Sequence, residues 1–197
     1  MTTESGIPAT AAERGKVAPS KFAHIVYRTS RFAEMVDWYK TTLEAEVMMS
    51  NEMLCFLTYD DEHHRVAFVN TPGLADPDPR AAGMEHCAYT YGSLDDLLGT
   101  YTRLKAAGIE PYWCINHGPT LSMYYRDPDG NQVELQIDIY DIDGTNEWFA
   151  QSDFGTNPIG VKFDPEDIIR RHAAGEARST LLARPVIDPS EVAAQFP

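Results

Sequence analysis

The feature that most restricts how this chain can fold is a pattern that runs once and then restarts. Phe22-Ala23-His24-Ile25-Val26-Tyr27 is echoed by Met84-Glu85-His86-Cys87-Ala88-Tyr89, with a histidine at the same point of each strand-like run. Ser30 then stands where it can cap a helix, and Phe32, Met35, Val36, Tyr39 and Leu43 recur at helical spacing. Three strands are expected next, at Glu46 to Ser50, Met53 to Asp60 and Arg65 to Asn70. The second run repeats this order. Ser93 caps a helix, with Asp96 placed to complete a capping box, and Gly108 ends a stripe of Leu94, Leu97, Leu98, Tyr101 and Leu104. Strands are expected at Glu110 to Asn116, Thr120 to Asp127 and Gln132 to Asp138. Arg65-Val66-Ala67-Phe68 answers Gln132-Val133-Glu134-Leu135 as the last strand of each unit.

A repeat of architecture at this spacing predicts an α+β fold made of paired βαβββ modules. Two such units can face each other with curved sheets around a cavity, each helix stripe covering the outer face of its own sheet. The first module is expected over residues 21–70 and the second over 84–138. Residues 71–83, TPGLADPDPRAAG, read as a linker rich in Pro, Gly and Asp. Residues 1–20 read as a flexible tail of small residues. Residues 139–197 form an extension with one helix, starting at Asp164-Pro165-Glu166-Asp167 and stopping at Gly175. That extension either packs over the second module, closes it as a lid, or contributes to a subunit interface.

Within the second module the hairpin Leu121 to Gln136 carries the most chemistry. Asp127-Pro128-Asp129-Gly130-Asn131 reads as a tight turn. After it Val133, Leu135 and Ile137 point one way, and Gln132, Glu134 and Gln136 the other. A lone Glu on such a face is either a solvated edge residue or a ligand in a cavity. Ser122 and Tyr124 share one face of the preceding strand.

His24, His86 and Glu134 thus come from corresponding or terminal strands of the two units. Each histidine alone has a bland reading as a core or cleft residue. Together, two imidazoles and one carboxylate with positions left open suit non-haem Fe(II), and Mn(II) accepts the same donors. The residual positive charge favours an anionic, chelating substrate and polarises bound oxygen.

The segments FAHIVY, MEHCAY and HGPTLSMYYRDPDGNQVELQ resemble the vicinal oxygen chelate superfamily (glyoxalase, bleomycin resistance protein, dioxygenase). Within it they resemble the short form of the type I extradiol ring-cleaving dioxygenases. The resemblance covers about Lys21 to Asp138 and rests mainly on the last segment. It implies a metal-containing cavity with His24, His86 and Glu134 as the ligands of Fe(II). It implies that Tyr124 hydrogen-bonds the bound catecholate and that His117 moves protons as oxygen attacks. It also implies insertion of both atoms of O2 into a catechol-type diol with cleavage beside the hydroxyls, giving a semialdehyde or dienoate, as in aromatic hydrocarbon catabolism. The sequence departs from the family in one respect: a second active-site histidine has no match near Tyr112 to Cys114.

The residues carry these roles on chemical grounds as well. An imidazole titrates near neutrality, so His117 can accept a proton and later donate it, although a turn histidine before Gly118 is the plainer reading. Tyr124 can orient a substrate through its hydroxyl or simply pack across strands. Ser122 supports at most the surrounding shell. Trp113, Trp148, Phe149 and Phe154 can bound an aryl pocket, whereas His63, His64 and His172 read as surface residues.

Two other functions compete. A glyoxalase-like isomerase of the same superfamily wants a fourth protein ligand near Ala67 and Phe68, and neither side chain can ligate. A non-catalytic small-molecule binding module does not need the two histidines and Glu134 together. The formal charge of −14, from 30 acidic and 16 basic residues, argues against nucleic acid and against an anionic membrane surface. No apolar run spans a bilayer and the first twenty residues lack the core of a signal peptide. Cys55, Cys87 and Cys114, odd in number and unpaired, are expected as reduced thiols of a cytoplasmic protein. A homo-oligomer is compatible with all of this.

Overall fold

The computed structural model describes residues 6, 10–78 and 80–197. Residues 1–5 and 7–9 of the flexible tail expected over residues 1–20 therefore lie outside the described residues. Its described part holds one short helix, α1 (Ala11–Arg14).

The first unit runs β1 (Ile25–Thr29), α2 (Phe32–Leu43), β2 (Glu46–Ser50), β3 (Leu54–Thr58) and β4 (Val66–Asn70). The second runs β5 (His86–Thr90), α3 (Leu94–Ala106), β6 (Trp113–Asn116), β7 (Thr120–Arg126) and β8 (Gln132–Asp138). The repeated strand, helix, three strands is thus present twice. Each unit forms its own sheet, in the orders β1-β4-β3-β2 and β5-β8-β7-β6, and β9 (Val161–Lys162) adds a fifth strand beside β6. The first strand pairs parallel with the last in both units, and the rest pair antiparallel.

The registers coincide across the repeat. Val26 faces Ala67 in the first sheet as Ala88 faces Glu134 in the second. Ala67 is therefore the equivalent of Glu134, and His24, one residue before β1, is the equivalent of His86. A carboxylate therefore stands at this register on one side of the internal symmetry only.

The helix stripes explain the core. Met35, Tyr39 and Leu43 of α2 join Cys55, Leu57, Val66 and Phe68, while Leu97, Tyr101 and Leu104 of α3 join Met123, Tyr125, Val133 and Leu135. All belong to one buried cluster, so the two units share a core. Ser93 caps α3 by accepting from the Asp96 amide at 3.1 Å. Ser30 does not cap α2: Arg31 occupies the cap position without a side-chain cap, and the Thr29 hydroxyl accepts the Arg31 amide at 2.8 Å instead. β6 starts only at Trp113, because Pro111 has no amide to donate to a ladder.

The turn after β7 ties the units together. Asp127 is buried, and its carboxylate accepts from the Tyr39 hydroxyl at 3.1 Å, the Asn131 side chain at 2.8 Å, and the amides of Asn131 and Asp129 at 2.8 and 3.0 Å. Burial raises its pKa, and the bonds from Asn131 and Tyr39 oppose that rise. Arg31 reaches Asp129 across the same junction at 3.0 Å. Asp127→Ala leaves four donors short of an acceptor, one of them buried on α2, and is expected to cost about 2–4 kcal/mol. Urea unfolding with an unchanged m-value checks this.

Beyond β8 the chain forms α4 (Ile142–Gln151), β9, α5 (Pro165–Ala173), α6 (Arg178–Leu181) and a 3-10 helix (Pro189–Gln195). Asp164 caps α5 by accepting the Glu166 amide at 3.0 Å, with Pro165 at its first position, where the sequence places the start. Packing of α5 on α3, and of β9 on both β6 and the 3-10 helix, lays this extension over the second unit. Among the described residues no helix is long and apolar enough to cross a membrane. All three cysteines are free, and Cys55 is buried.

Candidate active site

The polar face of the second sheet collects the reactive side chains. Pairing of β7 with β8 sets Tyr124 opposite Glu134, and pairing of β6 with β7 sets Trp113 opposite Tyr124. His86 enters from the start of β5, and its Nε2 lies 3.0 Å from Oε2 of Glu134. The Glu134 residue is only 4% exposed. On its other side the His86 ring meets the Glu85 carboxylate through Nδ1. The His86 ring also stands edge-on to Tyr124, with centroids 5.3 Å apart.

Tyr124 is the centre of this group. Its hydroxyl lies 3.1 Å from Nε2 of His117, which follows β6 directly. Trp113 lies against the Tyr124 ring at 4.8 Å and meets His117 edge-on at 5.8 Å. Burial, and then the neighbouring Glu134 charge, push the Tyr124 pKa well above the usual phenol range, so the hydroxyl keeps its proton at neutral pH.

His117 is held from behind. Its Nδ1 contacts the backbone carbonyl of Ile159. A carbonyl oxygen has no proton to give, so the proton of this contact belongs to Nδ1. Neutral His117 then presents a bare Nε2, which accepts from the Tyr124 hydroxyl. Once Nε2 is protonated the bond reverses, and the Tyr124 proton becomes available to another acceptor. Burial holds the His117 pKa below the ordinary imidazole value, opposed by the Ile159 bond and the Glu134 charge. The neutral, accepting form is accordingly favoured near pH 7.

The loop carrying His117 is fixed by the C-terminal extension. Gly118 has φ +105, and a Cβ there would fall 2.0 Å from the Trp148 ring. Arg184 stands 5.1 Å from the same indole and donates to the His117 carbonyl at 2.9 Å. Trp148 thus packs on the histidine loop, with Phe149 and Phe154 grouped around it. Trp113 is anchored by the same extension, its Nε1 donating to the Gln195 carbonyl at 2.8 Å.

The other residues singled out from sequence lie as follows. Ser122 is fully buried beside Thr120, which its hydroxyl reaches at 3.1 Å. His24 is exposed and stacks on His64 at 4.3 Å, and His64 stacks in turn on Phe56 at 4.4 Å. His64 is therefore half-buried in a ring stack rather than a free surface residue, whereas His63 is exposed. The structure brings His86, Glu134, Tyr124 and His117 together and does not set His24 against them. Among the described residues no three His, Cys, Asp or Glu side chains stand close enough to hold a metal ion. A buried carboxylate against an imidazole nitrogen nonetheless has the donor chemistry that a divalent cation takes.

Ile159, Arg184 and Gln195 act on this site and were not read from the sequence. Two of them contribute backbone carbonyls, which carry no residue-type signal. The pair Asn157 and Gly160, spaced for a side-chain-built turn, is the trace that marks the first of them.

The sequence profile of the Glyoxalase/Bleomycin resistance protein/Dioxygenase superfamily matches residues 21–135. The chain is 51% identical over 160 residues to biphenyl-2,3-diol 1,2-dioxygenase 2 of Rhodococcus globerulus, covering 80% of this chain and 84% of that protein. It is 40% identical over 167 residues to biphenyl-2,3-diol 1,2-dioxygenase 3 of the same organism, covering 83% and 88%. Among solved structures, a glyoxylase/bleomycin resistance protein/dioxygenase domain from Frankia sp. EAN1pec superposes with a TM-score of 0.52 at 17% identity. That match covers 61% of this chain and 99% of the other, and it supports the fold alone.

Proposed function

The chain belongs to the glyoxalase/bleomycin resistance protein/dioxygenase superfamily and is one of its extradiol ring-cleaving dioxygenases, and from that premise we propose that His24, His86 and Glu134 hold its Fe(II) and that its substrate is an aryl-substituted catechol. The observation that carries the site is the 3.0 Å contact of His86 with buried Glu134, with Tyr124 and His117 beside it. His24 enters by its place in the repeat, as the equivalent of His86. In this reading residues 21–70 and 84–138 are the two modules, and their sheets curve around the metal-containing cavity. Mn(II) suits the same donors. The free thiols fit a cytoplasmic enzyme.

Bound there, the metal supplies the oxygen chemistry and a seat for the two adjacent oxygens of the diol. The protein's own groups do the rest. Nε2 of His117, unprotonated and aimed at the site by the Ile159 contact, takes the proton of a diol hydroxyl. Once Nε2 is protonated its bond to Tyr124 reverses, and the Tyr124 hydroxyl, which keeps its own proton, turns to donate to the substrate oxygen. Trp113, half-buried and lying against the Tyr124 ring, offers an aromatic surface to an aryl substituent, in keeping with the biphenyl-diol named for both relatives. The isomerase reading fails at Ala67, which occupies the register of Glu134 and has no donor atom.

Anaerobically iron-loaded protein, presented with catechol and its 3-methyl and 3-phenyl derivatives in the presence of O2, should form yellow ring-cleavage products. The 3-phenyl compound should give the highest kcat/KM. Absence of product from all three would overturn the assignment. Tyr124→Phe keeps the ring and loses the hydroxyl, and should lower kcat/KM by about 1–3 kcal/mol in transition-state stabilisation with iron content unchanged.

A further inference from the structure

We propose that the Asn157–Gly160 turn of the C-terminal extension, braced by Arg184, positions His117 by fixing its tautomer and aim. This rests on the reading of His117 as the proton acceptor. Neither the turn nor Arg184 needs to touch substrate to do it.

Several independent contacts converge on that one function. Asn157 is 2% exposed and builds the turn: its Oδ1 accepts the Gly160 amide at 2.8 Å, and its Nδ2 donates to the Gly160 carbonyl at 3.0 Å. Ile159, inside the turn, presents its carbonyl to Nδ1 of His117. Gly160 makes the approach feasible. It has φ +120, and a Cβ there would lie 2.3 Å from the Asn116 carbonyl oxygen and 2.9 Å from Cα of His117. A side chain in that space would push the turn away from the imidazole. Directly after the turn, Val161 pairs with Asn116, which sets the register between the turn and the residue before His117.

Arg184 closes the clamp from the far side. Its side chain is 4% exposed, and its guanidinium donates to the His117 carbonyl at 2.9 Å, to the Asn157 carbonyl at 3.2 Å, and to the Asp153 carboxylate. One planar fork therefore holds the backbone of His117 and, at Asn157, the start of the turn that carries Ile159. A lysine, whose donors all radiate from one nitrogen, cannot reproduce a planar fork that bonds through two separate nitrogens.

The proposal predicts a state that can be observed without turnover. In full-length protein labelled with 15N in its histidine rings, the His117 signals, identified by their loss in His117→Ala, should show a protonated Nδ1 and a bare Nε2. In Gly160→Ala the two tautomers should mix, and kcat should fall about tenfold to a hundredfold. Iron content and anaerobic diol affinity should stay as in the wild type. Arg184→Lys should change the ring signals in the same direction, and keeps the test open where the glycine variant folds poorly. A wild-type His117 protonated at Nε2, or ring signals unchanged in both variants, overturns the proposal. The double variant Gly160→Ala/His117→Ala should turn over no more slowly than His117→Ala alone; a further loss would put the role of the turn elsewhere and overturn it too. Wild-type turnover in His117→Ala would instead sink the proton-acceptor reading, while the ring signals of the wild type would still decide the anchoring.

Discussion

Iron retention is expected to collapse in His86→Ala and in Glu134→Ala. Each substitution removes one of two donors already in contact, and leaves the other without its partner in a mostly buried position. Loss even of a residue that merely supports a metal ligand costs about tenfold to a hundredfold in affinity, so loss of a ligand should cost at least about a hundredfold. The measurement is metal content after anaerobic loading and desalting, with thermal unfolding to show that the fold survives. Full iron occupancy in a folded His86→Ala would sink the site. His24→Ala is the sharper test of the third ligand, because His24 stacks on His64 in this structure. If His24→Ala retains iron as the wild type does, the ligand set loses His24 and keeps the other two.

Turnover is expected to fall by about a hundredfold to ten-thousandfold in His117→Ala, the range over which a positioned general acid or base contributes. Iron and diol binding should persist, since the imidazole is absent from the proposed ligand set. The pH profile separates this from a general loss of packing. Burial depresses the His117 pKa, so the neutral, proton-accepting form survives as pH falls through the ordinary imidazole value and is lost only below it. The acid limb of kcat/KM should therefore lie on the acid side of a free imidazole, and should vanish in His117→Ala. The same burial affects stability with the opposite benefit. As pH falls through the ordinary imidazole value, the unfolded chain takes up a proton that the folded chain refuses, and stability declines. His117→Ala should flatten that part of the stability curve.

The repeat was legible because it depends on periodicity, and periodicity is a property of residue type. The alternation of Val133, Leu135 and Ile137 with Gln132, Glu134 and Gln136, together with the echo of FAHIVY in MEHCAY, was enough to give both units and their strand equivalences. That His86, Glu134, Tyr124 and His117 stand together agrees with a reading drawn from side chains that do chemistry few others can. The extension was legible only at α5, whose start the Asp164-Pro165 pair marks. α4 has no buried residue to produce a strong stripe, and β9 is two residues long, so neither carries a pattern from which to read it. Ser30 misled because a good capping residue was present one step too early, while Thr29 used its hydroxyl to satisfy the Arg31 amide. The grouping of His24 with His64 and Phe56 depends on the path of the 60–64 turn, which sequence spacing does not set.

The position of Arg184 along the chain has a consequence for synthesis. Every side chain proposed for iron or for proton transfer lies at or before residue 134, so both repeat units precede the extension in the order of synthesis, and chains tend to fold from the amino end. The guanidinium that holds the His117 carbonyl is delivered fifty residues later. The two repeat units carry the proposed metal donors by themselves, whereas the seating of His117 waits on contacts from the extension that follows them.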